Sequence, residues 1–223
     1  TVAAVANALG LPGIPFAVAE RATDKIKMRR CLKAAGVPVP EFRAVWSYEE
    51  AEKAMVELPF PIVVKPCDNM GARGVKKISK PEELKAAFRE AKESSVSGNI
   101  ILEEYMDGPE LSIDALVHNG KIEITGVADR IIEKPPYFVE MGHTMPSARP
   151  QFELEEAIDV FKSALHALGV TIGAGKGDIR LTSEGPKIVE VASRLSGGWM
   201  SAYTYPLSSG VNLYRAAIEI ILG

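Results

Sequence analysis

The chain is poor in cysteine, poor in aromatic residues and without a long apolar run, and each shortage removes a class of protein. Cys31 and Cys67 are the two cysteines, with no CxxC spacing, which excludes a disulfide scaffold and leaves reduced structural thiols as the expectation. A reducing, cytoplasmic compartment fits them. No stretch approaches the ~18 to 20 apolar residues that a membrane-spanning helix needs, and the opening Thr1-Val2-Ala3-Ala4-Val5-Ala6 lacks the basic region of a secretory signal. A net charge of −3, with no block of like charges, offers no electrostatic footprint to nucleic acid or to a membrane surface. No internal repeat or low-complexity tract interrupts the chain, and its non-Met start leads us to expect a processed or partial chain. What it does have is 47% hydrophobic residues over 223 positions, enough for a core of its own in one large domain or two lobes.

The most informative segment is Ile188-Val189-Glu190-Val191-Ala192-Ser193-Arg194-Leu195-Ser196-Gly197-Gly198. Side chains alternate along a strand, so Glu190, Ala192 and Arg194 are expected on one face and Val189, Val191 and Ser193 on the other. An acid and a base then point the same way, ahead of a glycine loop. Upstream lies a second alternating run, Gly177-Asp178-Ile179-Arg180-Leu181-Thr182, separated from the first by Ser183-Glu184-Gly185-Pro186, which reads as a tight turn. A hairpin centred on Glu184-Gly185 sets Asp178 beside Glu190. Two adjacent carboxylates repel unless a cation separates them, and hard oxygen donors with no nearby Cys or His suit Mg²⁺ or Mn²⁺ better than zinc. The plain alternative is a surface hairpin with cross-strand charges.

Elsewhere the punctuation is regular. Residues 1–9 read as the end of a helix stopped at Gly10, and Thr23 as the cap of a helix from Asp24 to Ala35, closed by Gly36 and Pro38. A strand is expected near Phe42–Val45, then a helix opened by the capping box Ser47-Tyr48-Glu49-Glu50. Pro61–Pro66 reads as a buried strand, Cys67–Gly74 as a loop, Val75–Ile78 as a strand, Pro81–Glu93 as an amphipathic helix and Ile100–Tyr105 as a strand. Asp107-Gly108-Pro109 marks a boundary between lobes. Beyond it, Leu111–Val117 and Lys121–Val127 flank Asn119-Gly120 as a hairpin. Residues 133–150, with Pro135, Pro136, Pro146 and Pro150 and little periodicity, read as one long loop. A helix striped by Leu154, Ile158, Phe161, Leu165 and Leu168 ends at Gly169, and Leu207–Leu222 reads as a closing helix.

Asp24-Lys25 at a helix start, Val64-Lys65-Pro66 on a strand, Gly71-Ala72-Arg73-Gly74 in the following loop, Glu103-Glu104-Tyr105-Met106, Glu110, Asp178 and Glu190 occur in the order found in the ATP-grasp superfamily, which the chain resembles over nearly its whole length. The resemblance is to amino-acid-ligase and carbamoyl-phosphate-synthase-like members. It implies an α+β fold whose two lobes, with antiparallel sheets, hold ATP between them: residues 16–106 with the leading helix as the small lobe, 107–223 as the large one, and 1–15 as the remnant of a preceding α/β domain. Lys25, Lys65 and the loop Gly71, Ala72, Arg73 and Gly74 correspond to the phosphate-gripping elements, and mobile amides and ammonium groups suit a polyphosphate whose charge shifts during transfer. Glu103, Glu104, Tyr105 and Met106 correspond to the adenine segment, with Glu103 accepting from the base's amino group, and Glu110 to the ribose-binding acid. Asp178 and Glu190 correspond to the ligands of Mg²⁺, and Arg194 to the group facing the acyl phosphate. One position departs from the family pattern, since Ala192 stands where relatives carry Asn, and a methyl group ligates nothing.

Further along, Pro135–Ser147 resembles a substrate loop, in which Glu140 would meet an ammonium group, His143 a carboxylate or phosphate, and Arg130 the transferring phosphoryl group. Gly197-Gly198 offers amides for a substrate carboxylate, with Trp199, Tyr203 and Tyr205 expected as walls. The function implied is an ADP-forming, Mg²⁺-dependent carboxylate-amine ligase acting through an acyl phosphate. Its partners would be small carboxylate and amine substrates, with a homodimer as an allowed assembly. Two alternatives stay open: a carbamoyl-phosphate-synthase-like or carboxylase-like enzyme using bicarbonate, and an ATP-binding module without turnover, for which Ala192 is the argument.

Overall fold

A computed structural model describes residues 1–223. Two fully antiparallel sheets organise it, each with its own apolar core. The first sheet has the order β1-β4-β2-β3, built from β1 (Phe42–Val45), β2 (Ile62–Pro66), β3 (Lys76–Ile78) and β4 (Ile100–Glu104). Helices α4 (Tyr48–Met55) and α5 (Leu84–Ser94) cover one face through Ala51, Ala54, Leu84, Ala87, Phe88 and Ala91. The expected capping box opens α4, with Ser47 accepting from the Glu50 amide at 3.2 Å, while the Glu50 carboxylate reaches back to the Trp46 amide at 2.8 Å.

The second sheet runs β7-β6-β5-β8-β9, from β5 (Glu110–His118), β6 (Lys121–Glu133), β7 (Val139–Thr144), β8 (Gly173–Thr182) and β9 (Gly185–Ala192). Helix α6 (Gln151–Leu168) lies on its back, burying Ala157, Phe161, Ala164, Leu165 and Leu168, and ends at Gly169 with φ +82°. Helices α2 (Phe16–Thr23) and α3 (Lys25–Ala34) contribute Val18, Met28 and Leu32 to this same core. The leading helices, grouped with the first lobe by sequence, thus bury their apolar faces against the second. Helix α1 (Val2–Ala8) precedes them with no buried residue.

Several elements differ from the sequence reading. Thr23 closes α2 and does not cap α3; Asp24 does, its carboxylate accepting from the amides of Ile26 and Lys27. Residues 133–150 are not one loop, because β7 lies inside them. The prolines sit outside the strand, at 135, 136, 146 and 150, and β7 is a mostly exposed edge strand, where burial imposes no alternation. The closing helix is broken: a π-type turn (Met200–Thr204) and α7 (Tyr205–Ser209) stop at Gly210, φ +77°, before α8 (Leu213–Leu222). Isolated small and polar residues, Ser208-Ser209-Gly210, outweigh the apolar pattern there.

The acid-bearing hairpin forms, but not by the expected turn. Ser183-Glu184 is the two-residue loop, closed by Thr182 opposite Gly185. Carried straight on, that register would set Asp178 against Val189. A β-bulge between Asp178 and Ile179, with Val189 as the extra residue, pairs Asp178 with Glu190 instead. Beyond Ala192 the strand ends, so Arg194 belongs to a loop and not to the alternating face.

Glycine sets how closely α6 approaches the sheet. A Cβ on Gly177, the neighbour of Asp178 on β8, would lie 2.5 Å from the Phe161 ring. Gly177→Ala is therefore expected to lower the unfolding free energy by about 1–3 kcal/mol through overpacking, measured by urea denaturation; an unchanged midpoint would mean that α6 can shift freely.

Candidate active site

The two sheets face each other across a cleft of about 760 Å³. Every site residue named from the sequence as catalytic, nucleotide-binding or metal-binding lines it, as do Glu140, His143, Gly197 and Gly198. Trp199, Tyr203 and Tyr205 do not. Trp199 and Tyr203 stack on each other at 5.4 Å and are 72% and 58% exposed, whereas Tyr205 is buried in the core, donating to the Ser112 carbonyl at 3.4 Å. The expectation of an aromatic wall is corrected: helical periodicity after Trp199 turns Tyr205 inward.

Between the two lobes, the Lys25 ammonium sits at the start of α3, where it donates to the Asn69 carbonyl at 2.8 Å and stands 3.6 Å from Glu190. Lys65 projects from β2 to Glu103 at 2.6 Å. Arg29 of α3, which sequence reasoning missed, meets the same carboxylate with Nε at 2.7 Å and Nη2 at 3.3 Å, and Nη2 also donates to the Val189 carbonyl at 2.7 Å. Glu103 is buried and its oxygens are engaged by these two cations, whereas the resemblance implied an acceptor for adenine. Burial pushes its pKa up, but Arg29 and Lys65 together outweigh that and hold it below the ordinary carboxylate range. Lys65 goes down, because burial and the nearby Arg29 and Lys25 charges exceed its share of one acid. Both directions describe one ionised triad with more cation than anion.

The loop after β2 is shaped by backbone at positive φ: Gly71 at +69°, Ala72 at +53° and Gly74 at +70°. Residues 71–73 are exposed, and Arg73 folds back on the loop, donating to the Met70 carbonyl and to the Asn69 side chain. Glu104 pairs with Lys187 of β9 at 2.9 Å, and its amide donates to the Glu41 carbonyl. Lys77 of β3 lies 3.5 Å from the centre of the Tyr105 ring, which also neighbours Phe138.

The large sheet presents a lattice of charge. Glu110 on β5 is held by Arg130 of β6 and Arg180 of β8. Burial raises its pKa against those two guanidinium groups. Arg130 also contacts Glu140 and, at 3.0 Å, Asp178. Asp178 is buried, but Lys176 and Arg130 outweigh desolvation and keep it low. Lys176, also missed from the sequence, reaches Asp178 from the β8 position directly opposite Ala192. Burial lowers the His143 pKa despite Glu140 at 3.5 Å. Arg194 is exposed at the cleft and donates to the Leu195 carbonyl.

A divalent cation is compatible with this donor set. Asp178 and Glu190 are register partners, Asp178 Oδ1 is buried and touches Lys176 without hydrogen-bond geometry, and a third of the Glu190 side chain is exposed at the cleft. No third Asp, Glu, His or Cys joins them, so the protein offers two acids.

Comparison with known proteins agrees with the fold and the ordering of these elements. Residues 58–203 match the ATP-grasp domain family. The chain belongs to the ATP-grasp family. It is 30% identical, over its full length, to 46% of a Sinorhizobium fredii protein described as uncharacterized protein y4rH. It is 26% identical, over 97% of its length, to 20% of the carbamoyl phosphate synthase large chain of Clostridium acetobutylicum. The crystal structure of an L-amino acid ligase from Bacillus licheniformis superposes over 99% of this chain and 52% of that one, with a TM-score of 0.87 and 28% identity. The chain thus spans about half or less of the length of these relatives. No helix is long and apolar enough to cross a membrane.

The buried triad makes a direct prediction. Glu103→Gln leaves Arg29 and Lys65 facing a neutral group and is expected to cost about 3–5 kcal/mol of stability at neutral pH. The folded pKa of Glu103 is depressed, so its contribution is complete above the unfolded carboxylate value and vanishes as pH falls through the folded one. Urea denaturation at neutral pH and in acid should show the difference between variant and wild type shrinking in acid; a difference constant with pH would contradict the ionised triad.

Proposed function

We propose that this chain is the ATP-binding part of an ADP-forming ligase that joins a carboxylate to an amine through an acyl phosphate. One arrangement carries the reading: the Asp178–Glu190 pair on the large sheet lines a single cleft together with Lys25, which stands beside Glu190, and with Lys65 and the Gly71–Gly74 loop. Acids, ammonium groups and a glycine-containing loop gathered on one cleft suit a polyphosphate held with a divalent cation. The family membership and the likeness to an amino-acid ligase over 99% of the chain support the same class.

In this reading a carboxylate oxygen attacks the γ-phosphorus of ATP, the bond to the β-phosphate oxygen breaks, and ADP leaves. An amine then attacks the acyl carbon, loses a proton and expels phosphate. Lys25 and Lys65 follow the charge on the β- and γ-phosphates, while Arg130 and Arg194 present donors to the transferring group and the acyl phosphate. The Gly71–Gly74 loop closes over the phosphates, and Glu104, Tyr105 and Met106 flank the base. Glu110 serves the ribose once Arg130 or Arg180 turns from it. Asp178 and Glu190 would hold Mg²⁺ or Mn²⁺, which neutralises phosphate charge when bound. Glu140 and His143, beside Arg130, suit an amino-acid substrate with its paired charges.

Release of ADP by the full-length protein, assayed against amino acids and small carboxylates with Mg²⁺, tests the assignment. Turnover that needs both a carboxylate and an amine is expected, and Glu190→Gln should reduce it on the order of 10²-fold or more. ADP formed with bicarbonate alone would assign the carbamoyl-phosphate-synthase-like reaction instead, and ATP binding without turnover on any substrate would sink the ligase reading.

Ala192 bears on the metal. Lys176 across from it already brings a positive charge to Asp178, and Ala192→Asn adds an oxygen donor at the same place. The substitution should tighten Mn²⁺ binding in the presence of ADP, read by titration calorimetry; an unchanged affinity would mean that the site already works with one ion or through Ser193.

A further inference from the structure

Beneath the reacting face lies a buried polar cluster that the ligase chemistry does not use. Asp114 on β5 is fully buried, and its carboxylate accepts from the hydroxyl of Ser196 and, at 3.2 Å, from that of Ser201. Both serines are buried and they flank Gly197-Gly198-Trp199. The segment from Ser193 to Trp199 has left the β9 ladder, and its one side-chain hydrogen bond to the sheet is that of Ser196. Asp114 is therefore the polar tether of the stretch that brings Arg194 and the Gly197-Gly198 amides to the cleft. The sheet makes room for this cluster: Gly126 of β6 lies opposite Asp114, and a Cβ there would stand 2.2 Å from the Tyr205 ring.

We propose that Asp114 is a positioning residue that docks the Ser193–Ser201 loop on the large sheet and so sets Arg194 and the Gly197-Gly198 amides against the reacting end of the cleft. The catalytic meaning of the loop rests on the ligase reading; the docking does not. Asp114 offers acceptors to both serine hydroxyls whether it is ionised or neutral, and Leu195 and Met200 of the same loop pack in the apolar cluster beside it.

The docking is expected to depend on pH, with the burial of Asp114 setting the sign. Burial pushes the Asp114 pKa up to about 6, against the opposing effects of Ser196, Lys176 and Ser201. The groups facing it are Lys176, its register partner on β8, with Asp178 two residues beyond, and Tyr205 of α7, whose own pKa is raised by burial and by Asp114; β6 offers only Gly126 opposite. An undocked loop lets water reach the carboxylate and returns it toward an ordinary value. The docked state thus binds the proton more tightly, so docking strengthens as pH falls through about 6 and is loosest above it.

Hydrogen exchange followed by mass spectrometry on the full chain without nucleotide, corrected for intrinsic exchange rates, tests this independently of any ligase activity. Amides of residues 193–201 are expected to be about tenfold better protected at pH 5 than at pH 8, with β5 and β8 unchanged, since one pH unit across a titration is a factor of ten. Asp114→Asn, which still bonds both serines but carries no charge, should give the higher protection at both pH values. The double variant Ser196→Ala and Ser201→Ala should give low protection at both. His143→Gln should keep the response, because His143, whose unperturbed pKa lies in this range, sits on β7 and is not among the groups facing Asp114. Equal protection of the wild-type loop at the two pH values, or a response that survives Asp114→Asn or disappears in His143→Gln, would overturn the proposal.

Discussion

One buried guanidinium bonds to both sheets at once. Arg29 is almost wholly buried, grips Glu103 of the small sheet with Nε and Nη2, and donates to the Val189 carbonyl of the large one. Val189 is the extra residue of the bulge that turns Glu190 toward Asp178. The same side chain therefore fixes the acid beneath Lys65 and steadies the backbone on which the acid pair depends. Arg suits the place because its planar fork serves a carboxylate and a carbonyl at once, which an ammonium on a flexible stem does not. The arrangement leaves Arg29 Nη1 buried without a partner, a cost the triad's ion pairs offset.

From this anchor outward, the cleft is a lattice in which each acid is held by one or two bases. Glu110 lies between Arg130 and Arg180, Asp178 between Arg130 and Lys176, and Glu190 near Lys25. Such groups are oriented before any reaction starts, which is the condition under which electrostatic stabilisation needs little reorganisation. Arg130 has the widest reach, touching Glu110, Glu140 and Asp178, and so links the proposed ribose, substrate and metal positions.

Most of this was legible in the residues, for identifiable reasons. Strands and helices with one buried face wrote their period into the chain, as in the leucine stripe of α6, and turn residues such as Asn119-Gly120 marked their own positions. The exposed edge strand β7 left no alternation to read. The bulge at Val189 was equally silent, and the expected pairing of Asp178 with Glu190 came out right although the turn was misplaced by a residue. The residues gathered in the cleft were named through family resemblance and through acid and lysine positions on strands. Arg29 and Lys176 were missed because an arginine or lysine within a helix or alternating strand reads as solvated surface until burial is known. Arg180 and Asp114 share that fate. For Arg29, Arg180 and Asp114 the fold brings in partners from far along the chain, Glu103, Glu110 and the Ser196–Ser201 pair.

The central claim is that Asp178 and Glu190, aligned by the bulge, hold a divalent cation on ATP phosphates gripped by Lys25 and Lys65. The most direct measurement is a crystal structure with a non-hydrolysable ATP analogue and Mn²⁺, using anomalous scattering to locate the ion. An anomalous peak touching both carboxylates and the terminal phosphates, at about 2.0–2.2 Å from oxygen as expected for a small divalent cation, is the predicted result. Phosphates bound away from both lysines, or Mn²⁺ contacting neither acid, would contradict it.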